Sequence, residues 1–187
     1  MTNRIGLLFG SFNPIHVGHL ILAEHFATRT DLAEVWLVVT PHNPFKAAAD
    51  LRPETERLLL VQLAIAGNPR LRVEAIEFDL PRPSYTIATL DALRRCHPNH
   101  DFVLLMGSDN LPSLPRWQES ARLLAEVDIY VYPRPGTPIP DLAPFPRVQV
   151  MEAPLLDISA TYIRESLRAG RSIRYLVPAA VEAELTK

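Results

Sequence analysis

Residues 10–19 read Gly-Ser-Phe-Asn-Pro-Ile-His-Val-Gly-His and directly follow an apolar run at residues 5–9. We interpret the two stretches as a first β-strand, a Pro-containing turn and the start of a first helix. In an open α/β sheet, ligands bind at such strand-to-helix turns. Free amide groups and the positive end of the helix dipole favour anions there. The sequence therefore predicts phosphate chemistry at this corner.

Two histidines lie in this stretch, and their spacing is informative. His16 and His19 are three residues apart, which puts them about 60° apart on one face of a helix. Gly18 lies between them and leaves room for a ligand. They could be cap or surface histidines, zinc ligands or donors to phosphate. Residues 10–19 contain no Cys, Asp or Glu to complete a usual zinc ligand set, so the pattern favours phosphate.

Composition limits the class of protein. The chain has 187 residues, enough for one domain with a sizeable core. Its net charge of −2 gives no indication of general binding to nucleic acid or membranes. Cys96 is the single cysteine, so no intramolecular disulfide can form. The sequence shows no signal-peptide layout and no apolar run long enough to span a membrane, so we expect a cytoplasmic protein.

Strand-like and helix-like segments alternate along the chain. We predict strands at residues 4–9, 35–39, 71–73, 102–106, 128–132 and 148–151, and helices at 17–28, 53–66, 84–95, around 122, 159–169 and from 178. This alternation predicts a doubly wound α/β fold, with a mostly parallel sheet and helices on both faces. We expect one domain over residues 1–187, with the C-terminal helical part from about 158 packed on it.

Unusual residues follow several of the predicted strands. Lys46 is one of only two lysines against 17 arginines, which suggests a specific use in phosphate binding, although a solvated loop lysine is the simpler alternative. Asp109, after Gly107, could accept a ribose hydroxyl, hold a Mg²⁺-bound water or cap a helix. Trp117 could stack on a planar heterocycle or anchor a loop. Arg134 follows the fifth strand.

Two later helix starts carry hydroxyl groups. Ser84 is expected to cap the helix that follows it, and the free amides of such a helix start would suit a carboxylate. Ser159, which we also expect to be a cap, and Thr161 could present hydroxyls and amides to phosphate oxygens, with Arg164 adding charge one turn along. The alternative in both cases is an ordinary capped helix.

The stretch at residues 10–19 resembles the Gly-x-Phe-Asp-Pro-x-His-x-Gly-His motif of the HxGH nucleotidyltransferases, with Asn13 in place of Asp. Residues 158–164 resemble the family's Ile-Ser-Ser-Thr-x-Ile-Arg motif, with Ala160 in place of one Ser. The resemblance implies a Rossmann-like fold in which both segments bind ATP phosphates. It also implies transfer of a nucleoside monophosphate with release of pyrophosphate.

The middle of the chain resembles one branch of that family, the nicotinate-nucleotide adenylyltransferases. Residues 84–90 match its Ser-Tyr-Thr-x-x-Thr-Leu motif, and Gly107, Asp109 and Trp117 match its Gly-x-Asp…Trp pattern. In that branch these segments border the pocket for the pyridine ring and its carboxylate. Relatives often have Pro-His-Lys where this chain has Pro-Phe-Lys at residues 44–46. Phe45 departs from that version, so His42 is not given that histidine's role.

The resemblance implies adenylyl transfer from ATP to nicotinate mononucleotide, giving deamido-NAD and pyrophosphate in NAD biosynthesis, with Mg²⁺ accompanying ATP and no metal site on the protein. The expected catalytic residues are His16, His19, Lys46 and Arg134. The expected ATP-binding residues are Gly10, Ser11, Phe12, His16, His19, Gly107, Asp109, Arg134, Ser159, Thr161 and Arg164. The expected acceptor-binding residues are Asn13, Lys46, Ser84, Tyr85, Thr86 and Trp117.

Two alternatives stay open. One is another HxGH transferase, acting on nicotinamide mononucleotide or phosphopantetheine or transferring a cytidylyl group; His16, Thr86 and Trp117 argue against the latter two. The other is a non-catalytic nucleotide-binding module, against which the presence of both histidines and Lys46 argues. The preference for the acid over the amide rests on the resemblance alone, and a homo-oligomer is possible.

Overall fold

Six parallel strands form one sheet in the computed structural model, which describes residues 3–42, 51–154 and 156–187. The strands are β1 (Asn3–Gly10), β2 (Glu34–Val39), β3 (Leu71–Glu74), β4 (His100–Gly107), β5 (Asp128–Tyr132) and β6 (Val148–Val150). The helices are α1 (Val17–Arg29), α2 (Glu54–Ile65), α3 (Thr86–Cys96), α4 (Ser120–Glu126), α5 (Ala160–Arg168) and α6 (Ala179–Leu185). Short 3₁₀ segments cover Ile76–Asp79 and Ser108–Arg116.

The strand order across the sheet is β3-β2-β1-β4-β5-β6. Leu7 of β1 therefore lies between Trp36 of β2 and Leu104 of β4 in parallel register. The chain moves outward in one direction up to β3 and in the other direction from β4 onward. The point where the order reverses, between β1 and β4, opens a crevice at the carboxyl ends of these strands. The predicted doubly wound, parallel α/β fold is confirmed.

Helices cover both faces of the sheet, because alternate strand residues are apolar on each side. On one face, α1, α2, α5 and α6 share a buried cluster that includes Phe26, Val61, Ile163 and Val181. On the other face, α3 and α4 contribute Leu90 and Leu123 to a second cluster. Among the helices of the described ranges, none is long and apolar enough to cross a membrane.

The capping predictions have different outcomes. Ser159 caps α5, because its side chain accepts a hydrogen bond from the Tyr162 amide at 3.2 Å. Ser84 does not cap α3: the helix begins at Thr86 after Tyr85, without a side-chain cap. The Ser84 hydroxyl is buried in the protein, which removes it from the exposed helix end that a cap would occupy. The predicted cap at Ser84 is therefore wrong.

Candidate active site

A cleft of about 1010 Å³ opens at the carboxyl ends of β1, β4 and β5. Its volume lies at the upper end of the usual range for ligand pockets. Every predicted site residue that the structure describes lines this cleft. They are Gly10, Ser11, Phe12, Asn13, His16, His19, Ser84, Tyr85, Thr86, Gly107, Asp109, Trp117, Arg134, Ser159, Thr161 and Arg164. Lys46 lies outside the described residues.

The corner between β1 and α1 depends on a close contact at Gly10. Phe12 is buried and has a φ of 44°, so its backbone lies in the left-handed region. Its ring folds back over Gly10, where a Cβ would lie 2.7 Å from the ring carbons. Only glycine leaves room for this arrangement, which explains why the strand ends in that residue.

His16 occupies the cap position before α1 and is buried. A Cβ at Gly18 would lie only 3.0 Å from His16 Nδ1, so the glycine makes space for this ring. Burial, helped by the positive charge of Arg134, lowers the pKa of His16 to about 4. His16 is therefore neutral near pH 7 and can donate one hydrogen bond without carrying a charge.

His19 stacks on His16 with ring centroids 3.7 Å apart and an interplanar angle of 28°. The His16 backbone N–H donates to His19 Nδ1 at 3.3 Å. Because Nδ1 accepts this bond, the proton of a neutral His19 ring resides on Nε2. The tautomer thus leaves His19 with an N–H donor on a ring that lines the cleft.

The start of α5 meets the β1–α1 corner through Arg164. Its guanidinium donates to the Asn13 carbonyl oxygen at 2.9 Å and to Thr161 Oγ1 at 3.3 Å. Arg164 Nε is buried and has no partner among the described residues. The two segments predicted to bind phosphate are therefore joined by one cation.

The end of β4 lies beside the end of β5. A Cβ at Gly107 would lie 2.3 Å from Asp109 Oδ1 and 3.0 Å from Arg134 Cγ, so a larger residue there would displace these two exposed side chains. Arg134 Nε is 3.4 Å from Asp109 Oδ1, and both side chains are more than 40% exposed. The Arg134 amide donates to the Ser108 hydroxyl at 2.9 Å. Such an exposed ion pair is weak, so both groups can exchange partners when a nucleotide arrives.

The opposite wall of the cleft consists of residues 84–86 and Trp117. Trp117 is half-buried, and its Nε1 donates to Ser113 Oγ at 3.2 Å. As at any helix start, the first amides of α3 have no partner within the helix, and no side chain of the cap residue bonds to them. The wall therefore combines aromatic surface from Tyr85 and Trp117 with the backbone donors of a helix start.

Sequence reasoning missed two buried charged residues next to the cleft. The Arg57 guanidinium is 1% exposed and donates to the carbonyl oxygens of Ser11, Thr40, Pro41 and Arg52. Glu77 is 2% exposed and lines the cleft. No signal in the sequence marks either residue, because a charged side chain in a short helix is usually exposed.

Within the described ranges, no three His, Cys, Asp or Glu side chains come together as a metal site. The carboxylates among the described residues that line the cleft are Glu77 and Asp109.

This fold and cleft define a nucleotidyltransferase of the Rossmann-like class. The sequence model of the cytidylyltransferase-like family matches residues 7–166, and the chain belongs to that family. Within it, the chain belongs with the nicotinate-nucleotide adenylyltransferases, and it is an enzyme.

Two relatives carry this assignment. A probable nicotinate-nucleotide adenylyltransferase of Bacteroides fragilis is 52% identical over 178 residues, which cover 95% of this chain and 89% of that protein. One from Cytophaga hutchinsonii is 50% identical, over 96% of this chain and 93% of that protein.

Solved structures agree in fold. The nicotinic acid mononucleotide adenylyltransferase of Plasmodium falciparum, complexed with NaAD, matches with a TM-score of 0.81 at 20% identity. The match covers 98% of this chain and 95% of that chain.

Proposed function

We propose that this chain transfers the AMP portion of ATP to nicotinate mononucleotide, giving deamido-NAD and pyrophosphate. The main support for the proposal is that one cleft has two walls of different chemistry. One wall has histidines, arginines and helix starts suited to a triphosphate, and the other has aromatic rings and free amides suited to a pyridine carboxylate. The assignment of the acid as acceptor also follows the relatives' names.

In this reaction an oxygen of the acceptor's phosphate forms a bond to the α-phosphorus of ATP. The bond from that phosphorus to the bridging oxygen breaks, and pyrophosphate leaves with the electron pair. A phosphomonoester has a second pKa near 6, so it is already mostly a dianion at pH 7. The nucleophile therefore needs no protein base, and the lowered pKa of His16 fits a role as a neutral donor.

The protein's task is to position two anions and to stabilise the charge that develops on the leaving pyrophosphate. We assign His19 Nε2 and His16 to the triphosphate, together with the amides of the first turn of α1 other than that of Val17, which donates to the Leu176 carbonyl oxygen at 2.9 Å. Arg134 and Arg164 supply positive charge at the cleft, and Lys46 is assigned the same task. The triphosphate would thus replace weak contacts such as the one between Arg134 and Asp109.

We propose that Mg²⁺ enters as a complex with ATP. Asp109 faces Arg134, and Glu77 is buried, so neither offers the open carboxylate cluster of a protein-held ion. Phosphate oxygens and waters suit Mg²⁺ as ligands. When bound in this way, the ion would neutralise part of the phosphate charge.

At the acceptor end, Trp117 and Tyr85 supply the aromatic surface for the pyridine ring. The first amides of α3, which have no side-chain cap, supply donors for its carboxylate. We also place the reaction in the cytoplasm. A chain with a single cysteine forms no intramolecular disulfide, which is usual for proteins of a reducing compartment. Assembly into a homo-oligomer stays a prediction.

A coupled pyrophosphate-release assay tests the proposal. ATP is supplied with nicotinate mononucleotide, nicotinamide mononucleotide or phosphopantetheine, and CTP replaces ATP in a parallel series. We expect the highest kcat/KM with ATP and nicotinate mononucleotide. A higher value with another pair would contradict the assignment, and ATP binding without turnover of any acceptor would support the nucleotide-binding module.

A further inference from the structure

A buried polar cluster lies behind the acceptor wall of the cleft. It consists of Glu77, Thr89, Ser84 and Thr40, none of which is more than 9% exposed. Glu77 belongs to the 3₁₀ segment Ile76–Asp79, and Thr89 belongs to α3. The proposed reaction gives no role to Glu77 or Thr89, although Glu77 lines the cleft.

One hydrogen bond connects Glu77 to the helix start. Thr89 Oγ1 donates to Glu77 Oε1 at 2.7 Å, and the same hydroxyl lies 3.2 Å from the carbonyl oxygen of Tyr85. The Ser84 amide donates to the His42 carbonyl oxygen at 3.0 Å, which joins this segment to the loop that follows β2. The conformation of residues 84–86 thus depends on the cluster behind them.

Two atoms of the cluster are buried and unpartnered. Neither Glu77 Oε2 nor Ser84 Oγ makes a hydrogen bond to any described residue. Unpaired buried polar atoms are rare and destabilising in folded proteins. Burial raises the pKa of Glu77 above its ordinary range, and the nearby hydroxyls of Thr89, Thr40 and Ser84 act in the opposite direction, although Ser84 Oγ does not reach hydrogen-bond geometry. A packed apolar side chain would avoid these costs, so their presence beside a cleft points to a functional use.

We propose that Glu77 is a positioning residue for the acceptor. Through Thr89, it holds the first turn of α3 so that the free amides of this turn face the acceptor's pyridine carboxylate. The inference rests on the proposed function, since it assigns the acceptor to this wall. It does not give Glu77 any contact with ATP, whose proposed contacts are on the other wall.

Steady-state kinetics with both substrates separates this role from a purely structural one. The variants are Glu77→Leu and Thr89→Val, which remove the two ends of the hydrogen bond at similar volume. We expect each to raise KM for nicotinate mononucleotide about tenfold, the order expected for loss of one buried hydrogen bond. KM for ATP should change less than about twofold, because the triphosphate wall is untouched.

The double variant and two controls complete the experiment. Glu77→Leu with Thr89→Val should raise the acceptor KM no more than either single change, because both remove the same bond. Thr89→Ser keeps the hydroxyl and should restore the wild-type value. Asp79→Leu, at an exposed position of the same 3₁₀ segment, should leave both KM values unchanged.

The outcomes distinguish failure of the positioning role of Glu77 from failure of the proposed function. If the wild type is active and folded Glu77→Leu keeps its acceptor KM, or raises both KM values equally, the positioning role is wrong and the proposed function stands. If Glu77→Leu fails to fold, the Thr89→Val and Thr89→Ser pair decides by the same criterion. A wild type that turns over no acceptor contradicts the proposed function and this inference together.

Discussion

His16 and His19 stack on each other, yet they offer different chemistry. His16 is buried and has a depressed pKa, whereas His19 is half-buried and its tautomer is set by the His16 amide. Because its proton is held on Nε2, His19 can donate a hydrogen bond to a phosphate oxygen on which negative charge develops. The pair therefore supplies oriented hydrogen bonds, with no need for either ring to act as a base.

We expect His19→Ala to lower kcat by about 10²–10³, the loss seen when one donor to a developing oxyanion is removed. The fold should survive, because the side chain lies at the cleft and not in the core. Steady-state kinetics and circular dichroism check both statements. His25→Ala serves as a control, since His25 bonds to the Glu152 carbonyl oxygen away from the cleft. A well-folded, fully active His19→Ala enzyme would refute the assignment.

His16 also predicts how stability depends on pH. Its pKa is about 4 in the folded protein against an ordinary 6.5, so the unfolded chain takes up the proton first as pH falls. The contribution of neutral His16 to the free energy of unfolding is therefore fully present above pH 6.5. It is lost as the pH falls from 6.5 to 4, by up to about 3 kcal/mol. Urea unfolding from pH 7 to pH 4 should show a smaller loss for His16→Gln than for the wild type. Identical pH dependence in both proteins would contradict the lowered pKa.

Among the elements, α5 depends on the β1–α1 corner through Arg164. Replacing Arg164 by Met removes the bond to the Asn13 carbonyl oxygen and a positive charge at the cleft. We expect KM for ATP to rise about tenfold, the effect of losing one charge-assisted hydrogen bond. KM for nicotinate mononucleotide should change little.

Arg171→Met is the matched control for this experiment, since Arg171 is exposed and lies beyond the end of α5. It should leave both KM values unchanged. Equal effects of the two arginine variants would show that general surface charge, and not the position of Arg164, attracts the nucleotide.

The interior strands could be predicted because their apolar residues form continuous runs. The runs at β2 and β4 are buried on both faces, as expected for interior parallel strands. The cap at Ser84 could not be predicted correctly, since an exposed cap and a buried hydroxyl share the same local sequence. Arg57 and Glu77 were missed for a related reason. Their burial depends on carbonyl and hydroxyl partners far along the chain, which only the fold brings together.

Across the whole molecule, one end of the sheet carries the ligand cleft and the other carries a network of ion pairs. The cleft lies at the carboxyl ends of the strands, and a network around Arg4 lies at the amino ends. The Arg4 guanidinium contacts the carboxylates of Asp31, Asp101 and Asp128, and donates to the Tyr130 hydroxyl at 2.9 Å. Arg4 and Gly10 are six residue steps apart on β1, about 20 Å along an extended strand.

We therefore expect Arg4→Met to reduce stability without reducing activity. The free energy of unfolding should fall by about 1–2 kcal/mol, because the pairs are partly exposed and each contributes little. Arg147→Met, which loses one exposed pair with Asp128, should cost about 0.5 kcal/mol or less. Urea unfolding and steady-state kinetics give the two readouts. A drop in kcat/KM of folded Arg4→Met would show that the two ends of the sheet are coupled.

The bond between Arg164 and the Asn13 carbonyl oxygen has a consequence for the order of synthesis. Residues 10–19 leave the ribosome well before the segment that completes their phosphate site, because about 140 residues lie between the two. Until residues 100–107 emerge, β1 also has an open edge toward the position of β4. A nascent chain that stops before residue 164 therefore has the β1–α1 corner but lacks Arg164, so activity appears only after α5 has emerged.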